Sequence, residues 1–138
     1  MIIGSIKNGM VIDHITAGRS TELYDLLGLE KAECEVALIR NAVSEKMGRK
    51  DIIKIDAAIE MNLDVIGYVD PDATVNIIRD GKLTEKKSIE MPLQLVNVIK
   101  CKNPRCITTC EQELEHVVRL TDREQKVYRC IYCVTKAN

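Results

Sequence analysis

Cys101-Lys-Asn-Pro-Arg-Cys106 and, twenty-three residues later, Cys130-Ile-Tyr-Cys133 decide how the last third of this chain folds. The four thiols arrive as two close pairs, C-x4-C and C-x2-C. A turn this tight aims two sulfurs at one point, and two such turns complete a tetrahedron. Zn²⁺ favours that arrangement: four-coordinate, without redox chemistry, with thiolates at about 2.3 Å. Four protein ligands leave no open position for water, so the metal would be structural. Two disulfides are the competing reading. A bridge within Cys130-x2-Cys133 closes a strained loop, and no signal peptide points to an oxidising compartment. The spacing therefore reads as one zinc ion holding a small C-terminal module.

Composition sets the frame for the rest. At 138 residues the chain is one ordinary domain or two small ones. The zinc segment buries little apolar area for its length, and structural zinc supplies on the order of 10–16 kcal/mol in small modules. The core of the first ninety residues must be aliphatic, because there is no Phe or Trp and only four Tyr. Lys+Arg number 20 against 21 Asp+Glu, without the basic excess of a nucleic-acid binder. No apolar run reaches membrane-spanning length. Met1-Ile-Ile-Gly-Ser5 carries neither a basic region nor a long apolar stretch, so a reducing, cytoplasmic setting is the expectation.

Read in order, the chain alternates strands and helices. Ile2–Ile6 is short and apolar, and Asn8-Gly9 after it is a two-residue hairpin signal. Met10–Ile15 reads as a strand and Thr16–Gly28 as a helix whose Leu23, Leu26 and Leu27 share a face. Gly28 suits a left-handed stop. Cys34–Val43 reads as a buried strand, Ser44–Lys50 as a charged connector, and Asp51–Asp56 as a strand antiparallel to the one before. A short helix over Leu63–Tyr68 takes Asn62 as its cap. Asp70-Pro-Asp72 is a turn, Ala73–Arg79 a strand, Asp80-Gly81 a tight hairpin and Lys82–Ser88 its partner. This order is the split β-α-β pattern of ferredoxin-like folds with one extra strand. The fold class is α+β, with both helices on one face of an antiparallel sheet. The boundary falls at Pro92, giving domains over 1–92 and 93–138. Leu93 to Ile99 is too apolar for a free linker and must pack on something. Glu115–Leu120 and Gln125–Arg129 are two strands feeding the cysteine knuckle, a zinc-ribbon-like arrangement.

Few residues outside the cysteines carry chemistry by themselves. Four thiolates around Zn²⁺ leave a formal charge of −2, which Lys102, Arg105 and Arg129 stand near enough in sequence to offset. Cys110 competes weakly as a ligand, since Cys106 is the better-spaced partner of Cys101. Cys34 reads as a small buried side chain. Asp13 and His14 invite an acid–base pairing, but neighbours on a strand point to opposite faces, so a side-chain dyad needs a bulge. No serine nucleophile motif, phosphate-binding glycine loop or carboxylate cluster is present. Lys54, between Ile53 and Ile55, faces away from both. It is either a solvated lysine on an open sheet face or a cation held on a rigid strand to meet a phosphate. Asn76 could read a base edge, and Lys82, Lys86 and Lys87 add positive charge on the last strand.

Val11-Ile-Asp-His-Ile15, Met47-Gly-Arg-Lys-Asp-Ile-Ile-Lys-Ile55, Ala73-Thr-Val-Asn76 and the two cysteine pairs occur in this order over nearly the whole chain. In this the sequence resembles the regulatory chain of aspartate carbamoyltransferase. The resemblance implies a non-catalytic subunit with an N-terminal nucleotide-binding domain and a C-terminal zinc domain. It further implies self-pairing through the first domain and a grip on the catalytic chain through the second. In the family two catalytic trimers are typically bridged by three regulatory dimers, with CTP inhibiting and ATP activating the first committed step of pyrimidine synthesis. By motif, the effector site would comprise Val11, Asp13, His14, Lys54, Asn76 and Lys86, lined by Ile6 and Ile78. Lys54 and Lys86 would meet the phosphates with His14 assisting, and the strand around Ile6 to Val11 would hold the base. The metal ligands would be Cys101, Cys106, Cys130 and Cys133, binding one structural Zn²⁺. Gly81 stands where relatives can have a larger pocket residue and Gly4 where a carboxylate can occur, which bears on nucleotide discrimination.

Two other classes compete with this reading. A free-standing zinc-ribbon module contacting protein or RNA would want more charge than residues 101–138 hold, with seven Lys/Arg against five Asp/Glu. A thiol enzyme built on Cys130-x2-Cys133 leaves the other thiol pair without a purpose.

Overall fold

A computed structural model of the chain describes residues 7–59, 61–111 and 113–137. It divides after Glu90 into two compact units. The first contains β1 (Gly9–Thr16), α1 (Ser20–Leu26), a 3-10 turn at Leu29–Lys31, β2 (Val36–Ser44), β3 (Gly48–Ile55), α2 (Leu63–Val69), β4 (Thr74–Arg79) and β5 (Lys82–Ser88). The strands form one sheet in the order β2-β3-β1-β4-β5, and every neighbouring pair is antiparallel. This is the ferredoxin-like arrangement with β5 added at one edge.

Alternation along the strands builds the core. Ile12 and Ile15 on β1, Ile53 and Ile55 on β3, and Val75 on β4 are fully buried, as are Leu23 of α1 and Ile66 of α2. Each such side chain contributes roughly 1.5–3 kcal/mol by leaving water, which is how an aliphatic core does without Phe or Trp. The intervening residues of the same strands face the other side of the sheet.

The sequence-level boundaries hold in places and shift in others. Asn62 caps α2, its side chain accepting from the Asp64 amide at 3.0 Å. The Asp80-Gly81 hairpin turns with both residues left-handed, at φ 52° and 75°, as a two-residue antiparallel turn requires. Gly28, at φ 68°, stops α1 and opens the 3-10 turn. The α1 helix starts at Ser20, not Thr16, because β1 runs on through Thr16 to pair with Lys50. The stretch expected as a buried strand is β2, an edge strand with no buried residue, since among the described residues only β3 neighbours it. Cys34 precedes it and is half-buried. Gly9 is not a hairpin residue but the first residue of β1, paired with Ile78, while Asn8 Oδ1 accepts from the Asp80 amide. The Ile2–Ile6 segment, including Gly4, lies outside the described residues.

The second unit is a three-stranded antiparallel sheet of β6 (Gln94–Val96), β7 (Val117–Asp122) and β8 (Val127–Cys130), with a four-residue helix α3 (Ile107–Cys110). The apolar segment after Pro92 is thus partly a strand, pairing Leu95 with Val118. Leu95, Val118 and Tyr128 are buried, and the Tyr128 hydroxyl donates to the Pro92 carbonyl at 2.6 Å.

Candidate functional site

Two sites take shape, one in each unit. In the second unit the turn after Lys100 and the end of β8 bring all four paired cysteines together. Their sulfurs lie within 4.8 Å of one another. Cys101 Sγ is 3.4 Å from Cys133 Sγ, and Cys106 Sγ is 3.7 Å from Cys130 Sγ. A tetrahedron with Zn–S bonds of about 2.3 Å places sulfurs about 3.8 Å apart, whereas a disulfide needs about 2.05 Å. The separations therefore fit a metal tetrahedron and exclude two disulfides in this arrangement. Each close pair contributes one sulfur to each contact, so the two halves interlock. Cys106 and Cys130 are buried, Cys101 and Cys133 half-buried. Cys110, at the end of α3, is exposed and outside the cluster.

The surroundings already favour thiolate at two positions. Hydrogen bonds from the side chain and backbone of Thr135 bring the Cys133 thiol down to about 6, and those of Thr108 lower Cys106. Burial pushes Cys101 up to about 12. The Arg129 guanidinium turns to the Val134 carbonyl at 3.0 Å. Around the ligands Ile107, Ile131, Tyr132 and Val134 are all solvent-exposed, Val134 at 61%. They form an apolar rim that a small monomer gains nothing by displaying.

In the first unit the sheet face away from the buried isoleucines gathers the other predicted residues. Lys54 and Asn76 are the two cross-strand partners of Val11, and Lys86 is the partner of Asn76. Lys54, Val11, Asn76 and Lys86 thus form one row across four strands. Asp13 and Ile78 occupy the neighbouring rows on the same face, paired with Thr74 and Gly9. Asn76 Oδ1 is buried and is the one side-chain polar atom of its kind, among the described residues, that has no hydrogen-bond partner. A buried acceptor without a donor costs roughly 1–3 kcal/mol. That cost marks a position where an incoming donor would be rewarded.

His14 joins this group through a bulge. The register of β1 against β3 slips between Ile12 and Ile15, and His14 takes φ 59°. The bulge removes the strict alternation that separates Asp13 from His14. The His14 amide donates to Asp13 Oδ1 at 2.7 Å, and His14 Nδ1 lies 3.1 Å from Thr74 Oγ1. Burial alone would raise the Asp13 carboxyl, but the Lys50 ammonium and the His14 amide outweigh it and hold it below its ordinary value. Lys50 is a residue that sequence reasoning misses, its Nζ 2.9 Å from Asp13 Oδ1. Its signal is present all the same: Lys50, Ile52 and Lys54 alternate onto one face. Ile6 lies outside the described residues.

Comparison with known proteins places these sites in context. Residues 1–90 match the family model described as aspartate carbamoyltransferase regulatory chain, allosteric domain, and residues 94–138 match the metal binding domain of the same chain. The aspartate carbamoyltransferase regulatory chain of Clostridium botulinum (strain Hall) is 49% identical over 133 residues, covering 96% of this chain and 91% of that one. That of Clostridium tetani is 47% identical over 134 residues, covering 96% and 93%. The Bifidobacterium longum chain is 44% identical over 137 residues, covering 99% of each. The match to a metal-binding domain and the sulfur geometry agree on a single structural zinc site held by the four cysteines.

Proposed function

The chain belongs to the aspartate carbamoyltransferase regulatory chain family, and from that premise we propose that it binds CTP and ATP in its first domain and the catalytic chain through its zinc domain. It is a regulatory chain with an allosteric and a metal-binding domain, not a catalytic one. The effector domain falls in the unit that ends at Glu90 and the zinc domain in the unit that begins at Met91.

The observation that carries the nucleotide assignment is the row Lys54–Val11–Asn76–Lys86 with its unsatisfied Asn76 carbonyl. The row offers ammonium groups for phosphate oxygens and an amide for a base edge, the two kinds of partner a nucleotide needs. A cytosine or adenine exocyclic amine would satisfy Asn76 Oδ1. Lys54 and Lys86 would take phosphate oxygens, with Lys50 and His14 beside them and Ile6 and Ile78 lining the pocket. Charge-assisted hydrogen bonds of this type are about twice as strong as neutral ones.

The zinc ion does no chemistry of its own here; when bound it supplies folding free energy. The four cysteines fix the turns that present Ile107, Ile131, Tyr132 and Val134, and this apolar rim supports the catalytic-chain contact. Pairing with a second copy through the first domain is supported by the edge of β2, where Val43 is 76% exposed and, among the described residues, no strand pairs on one side. Cysteines used as metal ligands suit a reducing cytoplasmic setting.

Regulation then follows from linkage. A nucleotide bound unequally by two states of the assembly shifts catalysis by the difference, typically about 1–3 kcal/mol. Co-expression with an aspartate carbamoyltransferase catalytic chain tests the proposal. The two chains should co-purify in equal numbers, and CTP and ATP should change the rate of the complex but not of the catalytic chain alone. Failure to co-purify would return the chain to a free-standing zinc-ribbon module.

A further inference from the structure

The sequence holds a repeat inside its metal site: Cys106-Ile-Thr108 in one half and Cys133-Val-Thr135 in the other. In each, a threonine follows a ligand cysteine by two residues. Thr108 Oγ1 donates to Cys106 Sγ at 3.1 Å, and Thr108 is buried. Thr135 Oγ1 lies at the same distance, 3.1 Å, from Cys133 Sγ. A zinc-bound thiolate has no proton to give, so in the loaded site the hydrogen of that contact belongs to Thr135.

A third side chain fixes its direction. Asn103 Nδ2 donates to Thr135 Oγ1 at 3.2 Å, occupying a lone pair and leaving the hydroxyl proton for the sulfur. Asn103 is itself held in the first cysteine turn, where its Oδ1 accepts from the Arg105 amide at 3.0 Å and its carbonyl from the Cys106 amide at 3.1 Å. A residue of one half thus orients the donor of the other half.

Four thiolates around Zn²⁺ carry −2, and the nearby cations do not cancel it. Lys102 and Arg105 are exposed, and Arg129 is turned to a backbone carbonyl. Building on the zinc reading, we propose that Thr108 and Thr135 are paired hydroxyl donors that draw negative charge off Cys106 and Cys133, with Asn103 as the residue that positions Thr135. Valine has the same shape as threonine and no hydroxyl, so it isolates the hydrogen bond from the packing. Outer-shell partners of this kind typically change metal affinity about 10- to 100-fold.

The test uses the full chain loaded with Co²⁺, whose thiolate-to-metal charge-transfer band reports the electron density at sulfur. Thr108→Val and Thr135→Val should each move that band to lower energy and weaken zinc about tenfold in competition with a chelator. Thr108→Ser and Thr135→Ser, which keep the hydroxyl, should match the natural chain. Asn103→Asp keeps the acceptor for Arg105 but replaces the donor facing Thr135. It should move the band in the same direction as Thr135→Val, and by less where Thr135 is already valine. If Thr108→Val fails to fold, the half-buried Thr135 variants still decide the matter. Unchanged band positions and zinc affinities in the valine variants would overturn the proposal while leaving the zinc site intact. A natural chain that takes up no tetrahedral Co²⁺ would instead overturn the zinc reading itself.

Discussion

Lys50 Nζ lies 2.9 Å from Asp13 Oδ1, and Asp13 sits in the row next to that of Lys54 on the face proposed to bind nucleotide. Asp13 occupies Lys50, whereas no ion pair engages Lys54 among the described residues. A triphosphate would therefore meet Lys54 first. Lys54→Ala should weaken CTP and ATP alike, because triphosphate is their shared part. One charge-assisted bond of roughly 1.5–3 kcal/mol corresponds to about a tenfold to hundredfold loss. The assembled enzyme should keep its basal rate and need more of either nucleotide for the same response. Titration with both nucleotides checks this, and unchanged affinity would make Lys54 a solvated lysine on an open sheet face.

Asn76 should behave differently. Its Oδ1 has no partner within the described residues, so a ligand donor is the partner to look for. Asn76→Ala removes an unsatisfied acceptor, and the nucleotide-free chain should lose little stability, less than about 1 kcal/mol. What should change is the ratio of CTP to ATP affinity, since the two bases present their amines in different frames. Calorimetry of both nucleotides against the variant measures the ratio. An equal loss for both would assign Asn76 to the shared ribose or phosphates.

Asp51 ties the Gly18–Ser20 turn to Asn41 of β2 and should dominate the acid response of the first unit. Its carboxylate is fully buried and accepts from the Ser20 hydroxyl at 2.6 Å and from the amides of Asn41 (2.8 Å), Gly18 (3.0 Å) and Ser20 (3.3 Å). Burial alone would raise its pKa, but these donors outweigh it and the folded value is depressed. A depressed carboxylate stabilises the fold above its ordinary range near about 4 and loses that contribution as pH falls through the folded value. Asp51→Asn leaves donors unsatisfied and should cost about 2–4 kcal/mol at pH 7. The gap between the two proteins in urea unfolding should narrow below about pH 4. A gap that stays constant from neutral to strongly acidic pH would remove Asp51 from the acid response.

Much of the fold, the cysteine cluster and the shared sheet face of Lys54, Asn76 and Lys86 are legible in the sequence, for identifiable reasons. Local signals are reliable where chemistry acts over a few residues. Thiol spacing brings four sulfurs to one point, Asn62 caps α2, and Asp80-Gly81 turns a hairpin. Alternation places Lys54 opposite Ile53 and Ile55. What escapes a linear reading is set by distant partners. The His14 bulge depends on how β1 registers against β3, and Lys50 matters through Asp13, thirty-seven positions away by their numbering. Gln94–Val96 is a strand only because β7 is there to pair with it. Asn8-Gly9 carries a strong turn signal, yet the sheet extends through Gly9 and uses Asn8 to hold the Asp80-Gly81 hairpin.

Removing the metal should separate the chain's two tasks. Each unit has its own buried side chains: Ile12, Ile53 and Val75 in the first, Leu95, Val118 and Tyr128 in the second. Only the second contains the cysteine tetrahedron. Its three short strands bury too little to replace the free energy that structural zinc provides, on the order of 10–16 kcal/mol. Cys130→Ser should therefore lose the metal, unfold residues 91–138 and abolish pairing with the catalytic chain. Cys34→Ser, in a half-buried thiol outside the cluster, should keep both. Nucleotide affinity should survive in the Cys130→Ser chain, because Lys54, Val11, Asn76 and Lys86 are positioned by the first sheet alone. Metal analysis, co-purification and nucleotide titration on the two variants give the three readouts. Full zinc in Cys130→Ser would break the ligand assignment, and nucleotide binding lost as completely as partner binding would end the division of labour.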